Sequence, residues 1–124
     1  GIDIIEIERI KKSIEEYGDK FLNKIFTKEE INYSINKPNK YQHFAARFAA
    51  KEAIYKALSS DTNKIYSWQD VEIYNEANGL PNVKFYGALK DYLNDKKQIK
   101  ISMSHSENYV TCIAILFQTN NSNI

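Results

Sequence analysis

Residues 41–58 read YQHFAARFAAKEAIYKAL, and this stretch decides the fold. Its aromatic side chains at Tyr41, Phe44 and Phe48 recur at helical spacing, which places them on one face of a helix. Small side chains fill the positions between them and beyond: Ala45, Ala46, Ala49, Ala50, Ala53 and Ala57. Because alanine is the strongest helix former and lets a neighbouring element approach closely, the stretch predicts a long central helix with tight packing.

The residues before this helix predict three shorter helical stretches. The apolar positions of the first are Ile7, Ile10, Ile14 and Tyr17. Gly18 is a stop signal for that helix, and a second short helix is expected after Asp19. Thr27 and Glu30 have the spacing of a capping box, which predicts the start of a further helical stretch that closes at Pro38.

The second half of the chain predicts antiparallel strands. Residues 68–74 and 83–86 carry strand-forming side chains on either side of an Asn78-Gly79 turn, which is typical of a hairpin. An alternating pattern at 99–103 and a more apolar run at 109–117 predict two further strands, joined by a short polar connection.

Length and pattern together indicate one domain of the α+β class. The chain has 124 residues, which is enough for one ordinary hydrophobic core and too few for two. We expect the long central helix to pack on an antiparallel sheet, with the smaller helices at one side. Residues 1–118 would form this single domain, and residues 119–124 would form a polar, disordered tail.

Charge and hydropathy argue against several classes of function. The 17 Lys and Arg residues are balanced by 16 Asp and Glu residues, so binding to long nucleic acid through phosphate neutralisation is not expected. The longest apolar run, at 110–117, is too short to cross a bilayer, so no membrane association is expected. Cys112 is the only cysteine, which indicates a reducing compartment. We therefore expect a cytoplasmic protein with Cys112 in its core.

Two pairs of polar residues on the central helix are candidates for chemistry. Glu52 and Lys56 are four positions apart and share one face. They form either an exposed ion pair or a carboxylate for a hard metal ion beside an ammonium for a phosphate. Arg47 and Lys51 have the same spacing and are expected on a neighbouring polar strip.

Asp3 and His105 are further candidates, and each has an ordinary structural interpretation. Asp3 is either the cap of the first helix or a second carboxylate that completes a magnesium site with Glu52. His105 lies in the connection between the last two strands, where it is either a turn histidine or a functional one. None of these residues is decisive alone.

Three blocks of the sequence together resemble a known family. Residues 1–10 read GIDIIEIERI, residues 44–58 read FAARFAAKEAIYKAL and residues 101–106 read ISMSHS. In this order and spacing, and with WQDVEI at 68–73 between the last two, they resemble the signature blocks of the holo-acyl-carrier-protein synthases. The resemblance covers nearly the whole chain, and the central block is highly specific.

The resemblance implies an enzyme of the small trimeric type of 4′-phosphopantetheinyl transferase. Such an enzyme transfers the 4′-phosphopantetheine group of coenzyme A to a serine of apo-acyl carrier protein for fatty acid biosynthesis. The products are holo-acyl carrier protein and adenosine 3′,5′-bisphosphate. The resemblance also implies Mg²⁺ as cofactor and a homotrimer with active sites at the subunit interfaces.

The resemblance assigns the catalytic residues. Asp3 and Glu52 match the magnesium ligands, which hold the metal against the pyrophosphate of coenzyme A. Lys56 matches the lysine that steadies the pyrophosphate and helps to protonate the leaving phosphate. The serine proton would leave through Glu52 or through a metal-bound water.

The resemblance also assigns binding residues. Arg47 and His105, with the adjoining Ser106, match positions that contact the nucleotide, including its ribose 3′-phosphate. Arg9 on the first helix matches a basic residue that meets the acidic recognition helix of the carrier protein. One stretch departs from the family, since Ser59-Ser60-Asp61 stands where a glycine-rich loop is usual. We expect Asp61 to face solvent, because its charge would oppose a nearby phosphate.

Two other functions remain open from the residues alone. A magnesium-dependent phosphohydrolase would use the same carboxylates and lysine, and would release product without a carrier protein. A non-catalytic adaptor would bind acyl carrier protein through the basic first helix and modify nothing.

Overall fold

The computed structural model describes residues 1–119, which form five helices, five strands and a short 3₁₀ turn. In chain order the elements are β1 (Ile2–Glu6), α1 (Ile7–Tyr17), α2 (Asp19–Ile25), α3 (Lys28–Ser34), α4 (Lys40–Ser59), the 3₁₀ turn (Trp68–Asp70), β2 (Val71–Asn75), β3 (Pro81–Phe85), α5 (Gly87–Leu93), β4 (Lys97–His105) and β5 (Tyr109–Gln118). The predicted tail lies outside the described residues from position 120 onward.

The α+β fold expected from the sequence is confirmed. Strands β1, β5 and β4 form an antiparallel sheet in that order, and β2 pairs with β3 in a separate antiparallel hairpin. Helix α4 packs on β1 and β5 of the larger sheet. The close approach follows from small side chains on both sides, since Ala49 and Ala53 of α4 and Cys112 and Ala114 of β5 are all buried.

Local signals place the ends of the short helices correctly. Gly18 ends α1 with a φ of 55°, a left-handed conformation that glycine adopts without strain. The capping box at the start of α3 is present, because the Thr27 side chain accepts from the Glu30 backbone N–H and the Glu30 carboxylate accepts from the Thr27 N–H.

The expected polar strip at Arg47 and Lys51 is wrong, because both side chains are buried. Lys51 has no exposed surface, and its Nζ lies 2.7 Å from Oε1 of the equally buried Glu30. Helices α2 and α3 and strand β2 cover this side of α4, so helical spacing alone could not separate it from a solvated face. The lysine thus ties the short helices to the central helix.

The larger sheet leaves an apolar face uncovered. We call it the outer face; it is formed by Ile2, Ile4, Tyr109, Ile113, Ile115 and Phe117, each at least 37% exposed. These residues alternate along β1 and β5 with the buried ones that face α4. Six large apolar side chains on one sheet face are typical of a protein–protein contact. Among residues 1–119, no helix is both long and apolar enough to cross a membrane.

Candidate functional site

Strand β1 brings Asp3 to the C-terminal half of α4. Lys56 Nζ donates to the Asp3 carboxylate and to the Ile2 carbonyl oxygen, both at 3.0 Å. The Asp3 side chain is largely covered, with 14% exposed, whereas 52% of the Lys56 side chain is exposed. Lys56 is therefore ion-paired with Asp3 and not with Glu52, because contact between elements overrides the spacing along the helix.

Asp3 is not a helix cap. It lies in the middle of β1 opposite Cys112, and the residue before the first turn of α1 is Glu6. The interpretation of Asp3 as a cap is wrong because the apolar start of the chain is a strand that pairs with β5. The Asp3 carbonyl oxygen accepts from the Thr111 hydroxyl at 2.8 Å, which holds this part of β1 in place.

The close contact between β1 and α4 depends on Gly1. A Cβ atom at this position would lie 2.0 Å from the Ala53 carbonyl oxygen and 2.8 Å from the Ala57 nitrogen. Because backbone atoms cannot give way to such a contact, glycine lets the start of β1 lie directly on the helix. This contact positions Asp3 beside Lys56, and no periodicity in the sequence indicates it.

Glu52 lies in the electrostatic field of this pair. Its pKa is raised above the ordinary glutamate value, first by burial and then by the negative charge of Asp3, while Lys56 and Arg9 oppose the rise. The structure therefore brings together Asp3, Glu52 and Lys56, with Arg9 of α1 close enough to act on Glu52. Repulsion between two carboxylates would be relieved by a cation between them.

A cavity of about 460 Å³ opens beside Glu52. Its lining includes Tyr55 and Trp68, which meet edge to face, and the exposed loop residues Lys64 and Ile65. A cavity that joins a carboxylate to an aromatic wall and a lysine suits a ligand with a charged end and an apolar part. Periodicity along the chain does not indicate that these residues line a cavity, and the cluster of aromatic residues in this region is the one local signal for it.

Arg47 lies apart from Asp3 and Glu52. Five helical positions separate it from Glu52, about 140° around the helix axis at 3.6 residues per turn. Its side chain is 2% exposed, lies 4.6 Å from the centre of the Tyr33 ring and donates to Asn75 Oδ1 at 2.8 Å. The charged, buried guanidinium therefore belongs to a second region, formed by α3, α4 and β2.

His105 is the last residue of β4, and Ser106 follows it in the exposed turn to β5. They line a shallow cavity of about 290 Å³ together with Ile4 and Tyr109 of the outer face. The pKa of His43 on α4 is lowered first by burial and then by the neighbouring basic residues Arg47, Lys37 and His105. His105 is thus electrostatically closer to the Arg47 region than the sequence order suggests.

The loop after α4 is held by Asp61. Its carboxylate pairs with Lys97 and accepts a hydrogen bond from the Tyr92 hydroxyl, and 35% of the side chain is exposed. Asp61 is exposed, as expected from the sequence. Its carboxylate is not free in solvent, however, because it is bound to Tyr92 of α5 and to Lys97 of β4. This pairing directs its charge towards Lys97.

Comparison with known proteins identifies the family. The family model that matches residues 1–114 is described as the 4′-phosphopantetheinyl transferase superfamily. The match covers more than nine-tenths of the chain, including Asp3, Glu52 and Lys56. The chain belongs to this superfamily.

Curated and solved members of the superfamily match over nearly their whole length. The holo-[acyl-carrier-protein] synthase of Protochlamydia amoebophila is 47% identical over 115 residues, which cover 93% of each chain. The enzyme of Helicobacter pylori, solved in complex with coenzyme A, is 30% identical with a TM-score of 0.80 and covers 94% of this chain and 98% of its own. That of Neisseria meningitidis is 29% identical with a TM-score of 0.85, covering 95% and 96%. The arrangement of α4 on the larger sheet is therefore that of a phosphopantetheinyl transferase.

Proposed function

We propose that this protein is a holo-acyl-carrier-protein synthase that transfers 4′-phosphopantetheine from coenzyme A to a serine of apo-acyl carrier protein. The observation that carries the proposal is the cluster of Asp3, Glu52 and Lys56 at the contact of β1 with α4 in a chain of this superfamily. Relatives with this name match across the chain, and one was solved with coenzyme A. Residues 1–118 act as one transferase domain in this proposal.

The carboxylates of Asp3 and Glu52 fit a magnesium ion. Both supply hard oxygen ligands, and the pKa of Glu52 is raised first by its burial and then by the negative charge of Asp3, which a metal ion bound to both carboxylates would offset. Among residues 1–119, no group of three or more His, Cys, Asp or Glu side chains is placed to hold a metal. The remaining ligands would be pyrophosphate oxygens and water, as is usual for Mg²⁺. When bound, the ion would supply Lewis-acid stabilisation of charge on the pyrophosphate.

The reaction needs little beyond positioning and charge. The serine oxygen forms a bond to the β-phosphorus, which carries the pantetheine arm, and the bond from that phosphorus to the bridging oxygen breaks. Adenosine 3′,5′-bisphosphate leaves with the bond electrons, and the serine proton passes to Glu52 or to water. Lys56 is suited to hold the pyrophosphate oxygens because its ammonium is half exposed and already oriented by Asp3 and the Ile2 carbonyl.

We also propose that the active site is completed by a second copy of the chain, in a homotrimer. Arg47 and Glu52 point in directions about 140° apart around α4, which favours a site in which the two residues come from different copies of the chain. The uncovered outer face supplies the apolar surface that such an assembly needs, and His105 and Ser106 lie at its edge. A neighbouring copy would then bring its Arg47, His105 and Ser106 to the nucleotide held by Asp3, Glu52 and Lys56. Three-fold symmetry is an expectation from the family resemblance.

The carrier protein would dock on α1. Arg9 is exposed and close enough to the carboxylates to lower the pKa of Glu52, so a partner bound at Arg9 would present its serine to the metal site. Acyl carrier protein is acidic, and a basic residue beside the site would steer it by charge. We place the protein in the cytoplasm, where a single unpaired thiol such as Cys112 stays reduced.

The test is the intact mass of an apo-acyl carrier protein after incubation with coenzyme A, Mg²⁺ and this protein. The proposal requires the mass of the carrier to rise by one phosphopantetheine group, and requires adenosine 3′,5′-bisphosphate to appear in equal amount. Release of that nucleotide or of phosphate without carrier protein would favour a phosphohydrolase. Binding of the carrier with no change in its mass would favour an adaptor.

A further inference from the structure

The loop between α4 and the 3₁₀ turn forms one wall of the cavity beside Glu52. It contributes Thr62, Asn63, Lys64, Ile65 and Tyr66 to the lining of this cavity of about 460 Å³. Asp61 belongs to the same loop but lines a different cavity, of about 400 Å³, with Gly1 and Lys97. The acidic side chain of the loop is therefore turned away from the cavity that its neighbours line.

Lys97 of β4 and Tyr92 of α5 hold Asp61 in this position. Lys97 Nζ donates to the Asp61 carboxylate and also, at 3.1 Å, to the Tyr92 hydroxyl. The Tyr92 hydroxyl in turn donates to the same carboxylate. The hydrogen bond from Lys97, followed by that from Tyr92, keeps the pKa of Asp61 below the ordinary aspartate value. The carboxylate is therefore charged at neutral pH and bound by two donors.

Tyr92 also fixes the far end of the loop. Its ring packs against the ring of Tyr66, with the ring centres 5.9 Å apart, and Tyr66 is only 7% exposed. Helix α5 provides a firm support, because its residues Leu89 and Leu93 are buried in the core. Asp61 and Tyr66 are five positions apart, so one tyrosine holds the residues between them at both ends.

The residues on either side of Asp61 show how close its charge lies to the cavity. Ser59 and Thr62 both line the cavity beside Glu52, so a modest rotation of the loop would turn the carboxylate inward. There it would repel a ligand that carries several phosphate charges. Lys97 opposes this in two ways, because it offsets the charge of Asp61 and holds the carboxylate on the side away from the cavity.

We propose that Lys97 and Tyr92 are positioning residues for coenzyme A, because they hold the Asp61 carboxylate outside the cavity beside Glu52 and fix the loop that forms its wall. The identity of the ligand rests on the proposed function, whereas the position of the loop rests on the contacts of Asp61 and Tyr66. Within residues 1–119 the lining of this cavity includes neither Lys97 nor Tyr92, so both act through the loop.

The first test replaces Lys97 by methionine in the full chain and measures steady-state kinetics with coenzyme A varied. The variant leaves Asp61 without its cation. We expect the KM for coenzyme A to rise about fivefold and kcat to stay within about twofold, because the released charge opposes binding and not the chemical step. The rise should shrink at about 1 M salt, where the Debye length is about 3 Å. The double variant Lys97→Met/Asp61→Asn should restore the KM, since the amide is uncharged and can still accept from Tyr92.

Lys96→Met is the matched control, because Lys96 is the preceding exposed lysine and forms no ion pair within residues 1–119. It should leave the KM for coenzyme A unchanged. The proposal is overturned if Lys97→Met has the KM of the wild type. It is equally overturned if Asp61→Asn does not reverse the rise, which would make Lys97 itself a contact of the ligand.

Trp68 provides a second test that does not depend on the proposed function. It is the only tryptophan of the chain, and it lines the same cavity as the loop. In the protein without ligand, Tyr92→Leu removes both contacts of Tyr92 and should raise the acrylamide quenching of Trp68 fluorescence about twofold. Tyr92→Phe keeps the ring and should raise the quenching less. Quenching equal to that of the wild type in both variants would overturn the positioning of the loop, whereas raised quenching without any transfer to carrier protein would overturn only the proposed function.

Discussion

Replacing Lys51 by methionine should destabilise the protein severely although it removes only one charge. Lys51 Nζ donates to the Ile25 and Trp68 carbonyl oxygens at 2.9 Å and to that of Val71 at 2.7 Å, besides its ion pair with Glu30. Methionine has nearly the same volume, so no large cavity forms. The variant instead leaves a buried carboxylate and three carbonyl oxygens without their cation.

The cost follows from this burial. Removing one partner of a buried ion pair costs about 3–5 kcal/mol, because the other charge stays in a medium of low polarity. A domain of this size is stable by about 5–15 kcal/mol, so Lys51→Met should remove about a fifth or more of the free energy of unfolding. The double variant Lys51→Met/Glu30→Gln should be less destabilised than Lys51→Met, because no uncompensated charge remains.

Urea denaturation followed by circular dichroism measures the effect, at one fixed chain concentration so that association contributes equally. The control is Lys56→Met on the same helix, whose side chain is 52% exposed. It should lose transferase activity but less than about 1 kcal/mol of stability, as is usual for an exposed ion pair. A loss for Lys51→Met below about 1 kcal/mol, or equal to that of Lys56→Met, would show that the buried contacts do not carry the stability assigned to them.

Three further predictions concern the site and the assembly. Glu52→Gln should lower kcat by about a thousandfold through loss of a metal ligand. The pKa of Glu52 is higher in the folded protein than in the unfolded chain, so the ionised carboxylate destabilises the folded protein at pH values above the ordinary glutamate pKa. Glu52→Gln should therefore melt at an equal or higher temperature than the wild type at neutral pH. This gain should disappear below about pH 4, where the carboxyl group is protonated in both states. A markedly lower Tm at neutral pH would contradict this. Arg9→Glu should raise the KM for carrier protein at least about tenfold and leave the KM for coenzyme A nearly unchanged. Steady-state kinetics with each substrate varied in turn measures both values. Equal increases in the two KM values would exclude docking at Arg9. Ile113→Glu places a charge on the outer face and should convert the proposed trimer to monomers, as measured by light scattering. The control is Ile65→Glu, at the most exposed apolar residue of the loop after α4, which should leave the mass unchanged. An unchanged mass for Ile113→Glu would rule out the outer face as the interface.

Much of the secondary structure could be predicted because its signals are local. The periodicity of residues 41–58, the stop at Gly18 and the capping box at Thr27 and Glu30 each act within a few residues, and all three agree with the structure. The family also follows from the sequence, since its signature blocks are contiguous runs of residues. The roles carried over to Asp3, Glu52 and Lys56 remain predictions until the variants are measured.

The sequence by itself determined the central helix, the fold class and the residue types available for chemistry. Only the tertiary structure decided how similar residues differ: Lys51 and Lys56 stand on one helix, yet one is enclosed by α2, α3 and β2 and the other is open to solvent. In the folded chain Lys56 also forms an ion pair with Asp3, which lies 53 positions away in the sequence. Arg47 points away from both residues and donates to Asn75 instead. The physical reason is that burial and charge pairing depend on contacts between elements distant in the chain, which helical spacing does not encode.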